Sequence, residues 1–262
     1  MSAFPEVHPA GTATAERPVV LLHGGDVANW MWMPQLPAFG DRTVLTPDLP
    51  GFGERVREDW PGLDAVADDV VARVTRHGVD GPFDLVGLSL GALTALRVLA
   101  RHPDRVSSAF LTSAPLTRAG AGMRLYCRVQ SAFSRTRWFW RAQAAVFGLP
   151  GDARARYVEH GLSVRRETAS AMAAEVCAGG VPQEVRRYPG PLLAVAGEKD
   201  SAAVRRSLPE IARAVPQARS RLVPGMHHIW NVEDAELFNR VLRAWLDGTV
   251  DPFLVNAPPV PR

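Results

Sequence analysis

Phe83-Asp84-Leu85-Val86-Gly87-Leu88-Ser89-Leu90-Gly91-Ala92-Leu93 carries an apolar run straight into Gly-x-Ser-x-Gly and on into a helix-forming stretch. The pentapeptide alone is a weak sign. A strand running in and a helix running out make it a sharp turn that lifts a serine above the edge of a sheet. Small residues are needed at Gly87 and Gly91, because strand and helix close on each other there and a Cβ at either place would strike the neighbouring backbone. Ser89 is the candidate nucleophile that results. The next backbone N–H, that of Leu90, falls at a helix N-terminus, where it can face an oxyanion.

Outward from this turn, strand and helix patterns alternate. Val19-Val20-Leu21-Leu22, Thr43-Val44-Leu45-Thr46, Val106 to Thr112, Pro191 to Ala196 and Ser220 to Val223 read as strands. Helices are expected through Gln35, over Leu63 to Arg76 with its apolar spacing, from Leu90 to about His102, over Ala202 to Ala214 and over Asp234 to Leu246. The order predicts an α/β fold with a mostly parallel sheet and helices on both faces. Between Leu116 and Tyr188 the alternation stops. Helices over Met123 to Ser134, Arg137 to Phe147, Ala153 to Gly161 and Arg166 to Ala178 read there as an inserted helical cap, residues 116–188, set into a core made of 1–115 and 189–262. Residues 1–17 give no confident element beyond a frayed hairpin, and the proline-bearing tail from Thr249 is expected to lie on the surface without regular structure.

Composition narrows the class. A chain of 262 residues with net charge +3 can bury a large single core. No apolar run approaches the length that crosses a bilayer, and the start from Met1 to Gly11 lacks the basic and apolar parts of a signal peptide. A cytoplasmic location is the resulting expectation, with neither a nucleic-acid nor a membrane partner. Cys127 and Cys177 lie in neither a metal nor a redox spacing and read as buried free thiols; no metal site is expected.

A serine hydroxyl is a poor nucleophile near neutral pH and needs a base, which in turn needs a partner that fixes its tautomer. The strand ending in His23-Gly24-Gly25, Asp48-Leu49-Pro50-Gly51-Phe52-Gly53, the serine turn, Gly197-Glu198-Lys199-Asp200 and Pro224-Gly225-Met226-His227-His228 together resemble the α/β-hydrolase superfamily in order and spacing. The resemblance covers nearly all of the chain outside the cap. It implies Asp200 as the triad acid, in the loop after the strand that follows the cap. The alternative acid position, at the end of the strand before the cap, holds Ser113-Ala114-Pro115 and no carboxylate. Two adjacent histidines compete for the base. Similar enzymes carry a glutamate five residues after it, and Glu233 stands so from His228, which selects His228. His227 then lines the pocket or caps the loop. The resemblance also implies the backbone N–H of Gly25 as the second oxyanion donor beside Leu90, with His23 bracing that loop and no cofactor. One departure is Gly53-Glu54-Arg55, where the family often has a serine; it touches a supporting turn.

The cap segment holds twelve arginines against five acidic residues, +7 in all, which leaves −4 on the remainder. That asymmetry either belongs to a solvated helical surface or steers an anionic substrate, or an acidic carrier protein bearing an acyl chain. Trp138-Phe139-Trp140 with Phe133, Phe147 and Met123 roof an acyl group or pack on the core, and Trp30 touches substrate or is simply buried. The implied activity is serine hydrolysis of a carboxylic ester, lactone or thioester in a small-molecule acyl substrate. A carbon–carbon hydrolase or lyase, an acyltransferase or cyclase, and a non-catalytic ligand receptor are the alternatives. Dehalogenase and epoxide hydrolase chemistry is disfavoured, since those relatives place an aspartate where Ser89 stands.

Overall fold

In a computed structural model the described residues are 4–11 and 16–257, with the main chain alone for Met123, Tyr126 and Ser131. Met123, named above for the cap roof, therefore has its side chain outside the described residues, as do residues 1–3 and 12–15 of the leading segment and 258–262 of the tail.

In chain order the elements are β1 (Val7–His8), β2 (Val19–Leu22), β3 (Val44–Leu45), α1 (Leu63–Arg76), β4 (Phe83–Leu88), α2 (Leu90–Arg101) and β5 (Val106–Thr112). Then come α3 (Ala121–Phe133), α4 (Arg137–Val146), α5 (Gly151–Ser163), α6 (Arg166–Ala178), β6 (Leu192–Gly197), α7 (Ala202–Ala214), β7 (Arg219–Val223), α8 (Trp230–Glu233), α9 (Ala235–Leu246) and β8 (Val255–Asn256). They build one eight-stranded sheet in the order β1-β3-β2-β4-β5-β6-β7-β8. Its six central strands are parallel, and only β1 and β8 run antiparallel at the edges. The continuous apolar runs of β2 and β4 are buried along their whole length, as strands covered on both faces must be. Alternate side chains divide between two cores. Val20 and Leu22 join α1 and α2 on one face, while Val19 and Leu21 join Phe238 and Leu242 of α9 on the other.

Four expectations change. The helix expected through Gln35 is two short 3-10 turns, Asn29–Trp32 and Leu36–Phe39, because Pro34 and Pro37 remove the N–H donors a continuous α-helix would use. The leading segment supplies an edge strand, with Val7 opposite Leu45. The tail supplies the other, with Val255 opposite Leu222, so both edges of the sheet are covered by chain that has little apolar periodicity of its own. Cys127 and Cys177 are free thiols, but both are partly exposed and their sulfurs face each other.

The insertion between β5 and β6 is four helices whose two ends are pinned together, Gly180 N–H donating to Leu116 O (2.7 Å) and Ala119 N–H to Cys177 O (3.0 Å). It is also keyed to the core. Glu175 of α6 accepts hydrogen bonds from Trp60 Nε1 (3.0 Å) and from the Leu63 N–H at the start of α1 (3.0 Å), so a residue of the insertion supplies the N-terminal acceptor that Gly62 cannot.

The close approach at the serine turn is real. A Cβ on Gly91 would strike the Leu22 and His23 carbonyls, and one on Gly87 would strike the Gly91 carbonyl. Both obstacles are main chain and neither can swing aside. Gly91→Ala is expected to lower unfolding free energy by about 3 kcal/mol or more, the scale of severe overpacking, in denaturant titration.

Candidate active site

Four strand ends converge at the carboxyl edge of the sheet. Ser89 follows β4 directly and has φ 55° and ψ −112°, a left-handed strained conformation, and its O accepts from Ala92 N–H in the first turn of α2. Its own N–H donates to Thr112 O at the end of β5 (3.0 Å). The Asp200 loop follows β6 and the His228 loop follows β7. The two loops are tied by Lys199 N–H to Met226 O (2.9 Å) and by Gly225 N–H to Glu198 Oε2 (2.9 Å).

The geometry brings the three expected residues into one relay. His228 Nε2 lies 3.1 Å from Ser89 Oγ, and His228 Nδ1 lies 3.0 Å and 3.1 Å from the two Asp200 oxygens. The Asp200 side chain is almost fully buried. Burial alone would raise its pKa, but hydrogen bonding and charge from His228, with help from Ser113 and the Ser201 N–H (2.6 Å to Oδ1), hold it below the usual carboxylate range. An ionised carboxylate on Nδ1 keeps the proton there and leaves Nε2 as an acceptor for the serine hydroxyl.

The loop at the end of β2 lies against this serine: a Cβ on Gly24 would come 3.7 Å from Ser89 Cβ. His23 is fully buried. Its Nδ1 sits 2.7 Å from Gly24 O and its Nε2 accepts from Leu49 N–H (3.0 Å), so it braces the loop as expected. Leu90 opens α2. Its N–H is among the first four of the helix, which find no acceptor within it. Arg55, at the departure from the family pattern, binds Asp48 O (3.1 Å) and the Asp69 carboxylate, while Asp48 itself accepts from the Asn29 and Glu54 N–H groups (both 2.9 Å).

The suggested pocket residues do not join the relay by any hydrogen bond among the described residues. Trp30 is buried in the core face that also holds Trp32. Trp140 is buried inside the insertion, its Nε1 donating to Ser134 O (2.6 Å) and its ring packed on Tyr157 and Gly161. Trp138 is 59% exposed and packs edge-on against Phe133. His227 has a side chain 59% exposed and pairs with Glu233 (2.7 Å).

Three further residues bear on the site without having been assigned a role in it from the sequence. Ser113, with φ 54°, donates its Oγ–H to His228 O (2.9 Å). His160 of α5 is buried and stacked on Phe52, and burial pushes its pKa down to about 3. Asp26, next to Gly25 and also left-handed at φ 58°, accepts from Gln130 Nε2 of α3 (2.6 Å), and its other oxygen is buried with no partner. The carboxyl is enclosed although the residue keeps some exposure. Burial pushes its pKa up to about 6, against a weaker opposing pull from Gln130.

One family model, described as the alpha/beta hydrolase family, matches residues 19–241. A pimeloyl-acyl-carrier-protein methyl ester esterase of Neisseria meningitidis is 40% identical over 102 residues, 38% of this chain and 37% of the relative, so the chain spans little more than a third of the length of that curated protein. Among solved structures, a thermophilic esterase from Thermogutta terrifontis has a TM-score of 0.74 at 23% identity, covering 94% of this chain and 93% of its own. An enol-lactonase from Burkholderia xenovorans has 0.75 at 20% identity, covering 92% and 96%. At those identities the two structures speak to the fold alone.

The folded Asp26 carboxyl binds its proton more tightly than an unfolded aspartate of pKa 3.8. Its stabilising contribution is therefore complete below about pH 4 and is lost as pH rises through about 6. Asp26→Asn, which cannot ionise, should gain thermal stability relative to the native protein across that window, up to a ceiling of about 3 kcal/mol. A pH series of melting curves reads the difference.

Proposed function

Since the chain belongs to the alpha/beta hydrolase family, we propose that it cleaves a carboxylic ester, lactone or thioester through an acyl-enzyme on Ser89. The observation that carries this reading is the unbroken Asp200–His228–Ser89 relay at 3.0 Å and 3.1 Å. Ser89 Oγ attacks the acyl carbon while His228 Nε2 takes its proton. Asp200 holds the imidazole and stabilises its cation. The Gly25 and Leu90 N–H groups receive the oxyanion, the second strengthened by its place at the start of α2. His228 then returns the proton to the leaving group, and water, activated by the same imidazole, releases the acid. No step calls on a cofactor.

Residues 116–188 act as the cap over this chemistry. Their +7 charge supports an acyl group delivered on an acidic carrier protein, and the meningococcal relative is named for an ester carried on an acyl-carrier protein. Among the described residues, no helix is long and apolar enough to cross a membrane.

Ser113 acts as a positioning residue. Its hydroxyl holds the His228 main chain and also helps keep Asp200 charged. It stands where the alternative acid position falls, so the place without a carboxylate is used to steady both other members of the relay.

Ser89→Ala should reduce hydrolysis of a nitrophenyl ester by about 10³-fold or more and abolish fluorophosphonate labelling. Full activity in that variant would overturn the reading. Ser113→Ala should lower kcat about tenfold, one hydrogen bond's worth, with KM little changed and the acid limb of the pH–rate profile displaced. A purely structural serine would lower the folded fraction and leave the profile of the surviving enzyme in place.

A further inference from the structure

Cys127 of α3 and Cys177 of α6 are fifty residues apart in sequence, yet their sulfurs stand 3.4 Å apart across the helix pair. Both side chains are partly exposed, so a small oxidant can reach them. Closing to a disulfide of about 2.0 Å needs roughly 1.4 Å of approach, within reach of a rotamer adjustment on two packed helices. A spacing of this kind in the sequence suggests no redox motif; only the packing of α3 on α6 makes the pair.

The two helices are held to the core differently. α6 is fixed by Glu175 on Trp60 and Leu63, and its Met172 sulfur lies at the position a Cβ on Gly25 would crowd, 3.0 Å away. α3 leaves Leu125, Val129 and Phe133 exposed and reaches the core loop through Gln130, which binds Asp26 beside Gly25. Gln130 lies one turn beyond Cys127, on the same side of the helix. A covalent link at Cys127 would therefore bolt the loosely held helix to the anchored one, directly over the proposed oxyanion loop.

We propose that Cys127 and Cys177 form a dithiol modification site that a peroxide converts to a cystine staple between α3 and α6, and that the staple restrains the cap and slows access of long acyl substrates to Ser89. The balance is simple. One sulfur attacks a peroxide oxygen and breaks the O–O bond, giving a sulfenic acid and one water. The second sulfur displaces the sulfenic hydroxyl as a second water, so two thiols lose two hydrogens and two electrons while one peroxide gives two waters. Burial and the neighbouring sulfur push the Cys127 thiol up to about 12. Either sulfur can be the one attacked, since each stands in reach of the other.

The cross-link stands independently of the esterase reading, whereas its effect on turnover rests on that reading. The full-length reduced protein, treated with stoichiometric hydrogen peroxide and digested without reductant, should yield a linked peptide containing Cys127 and Cys177. Reaction with a thiol reagent should fall from two groups to none, and dithiothreitol should restore both. In the stapled protein, kcat/KM for a long-chain nitrophenyl ester should drop at least about threefold and recover on reduction, while the double variant Cys127→Ser, Cys177→Ser shows no response. Oxidation that stops at a sulfinic acid, or that links separate molecules without an internal cross-link, overturns the site. A fully linked protein that turns over ester at the rate of the double variant overturns the restraint on the cap. Should the reduced protein cleave no ester at all, the function proposed above fails, and the linked peptide still decides the dithiol site.

Discussion

The close approach of β4 and α2 governs the carboxyl edge of the sheet. With Gly87 and Gly91 in backbone contact range of each other and of Leu22, Ser89 has no room for an ordinary conformation and is held at φ 55°. The strain is maintained from below by Thr112 O on the Ser89 N–H. Thr112 does more, because its hydroxyl accepts from the indole N–H of buried Trp230 (2.8 Å), two residues after His228. Ser113 follows, also left-handed, and holds the His228 carbonyl. The end of β5 is thus a beam between the serine turn and the histidine loop. The separation of Ser89 from His228 is set by main-chain and buried contacts, and flexible side chains have little say in it.

Much of this was legible in the sequence because it rests on local rules. Buried parallel strands announce themselves as apolar runs, the serine turn by its glycines, and α9 by Asp234, whose side chain accepts from Leu237 N–H at the helix start (2.9 Å). Asp200 and His228 came from the resemblance to the α/β-hydrolase superfamily, which no local rule supplies. What stayed hidden depends on contacts between distant segments. Val7 and Val255 become strands only because an edge is waiting for them, and nothing near Val255 in sequence signals Leu222. Trp138 and Trp140 are two residues apart and chemically alike, yet one is exposed and the other buried, since helix phase within the insertion is set by packing on Tyr157 and Gly161. Asp26 drew no notice because a lone aspartate after a glycine pair reads as a turn, and Gln130, which gives it meaning, comes from a helix 104 positions away.

The insertion and the core meet on the loops that bear the proposed chemistry. Met172 borders Gly25, Thr168 crowds Gly51, Gln130 binds Asp26, and His160 stacks on Phe52, whose ring also packs edge-on against His23. A displacement of the four helices is therefore felt first at the loop after β2 and its His23 brace, before it reaches Ser89. In the function proposed above, the seating of the insertion is thereby coupled to the geometry of the proposed oxyanion donors.

Two enclosed carboxyls at the same end of the sheet make the assignment of roles an electrostatic question. Asp200 and Asp26 are both buried and both sit on tight turns, so desolvation works against the charge of each. Asp200 overcomes it with an imidazole on both oxygens and the Ser201 N–H. Asp26 has a single neutral amide and an oxygen with no partner, and burial prevails. A triad acid must stay ionised while the histidine cycles between neutral and cationic forms, since only a standing negative charge stabilises the imidazolium. Asp200 meets that requirement by the number and charge of its donors. Asp26, which takes up a proton near pH 6, suits a different task, holding α3 to the loop after β2 by a bond that survives in either protonation state because its donor is the Gln130 amide.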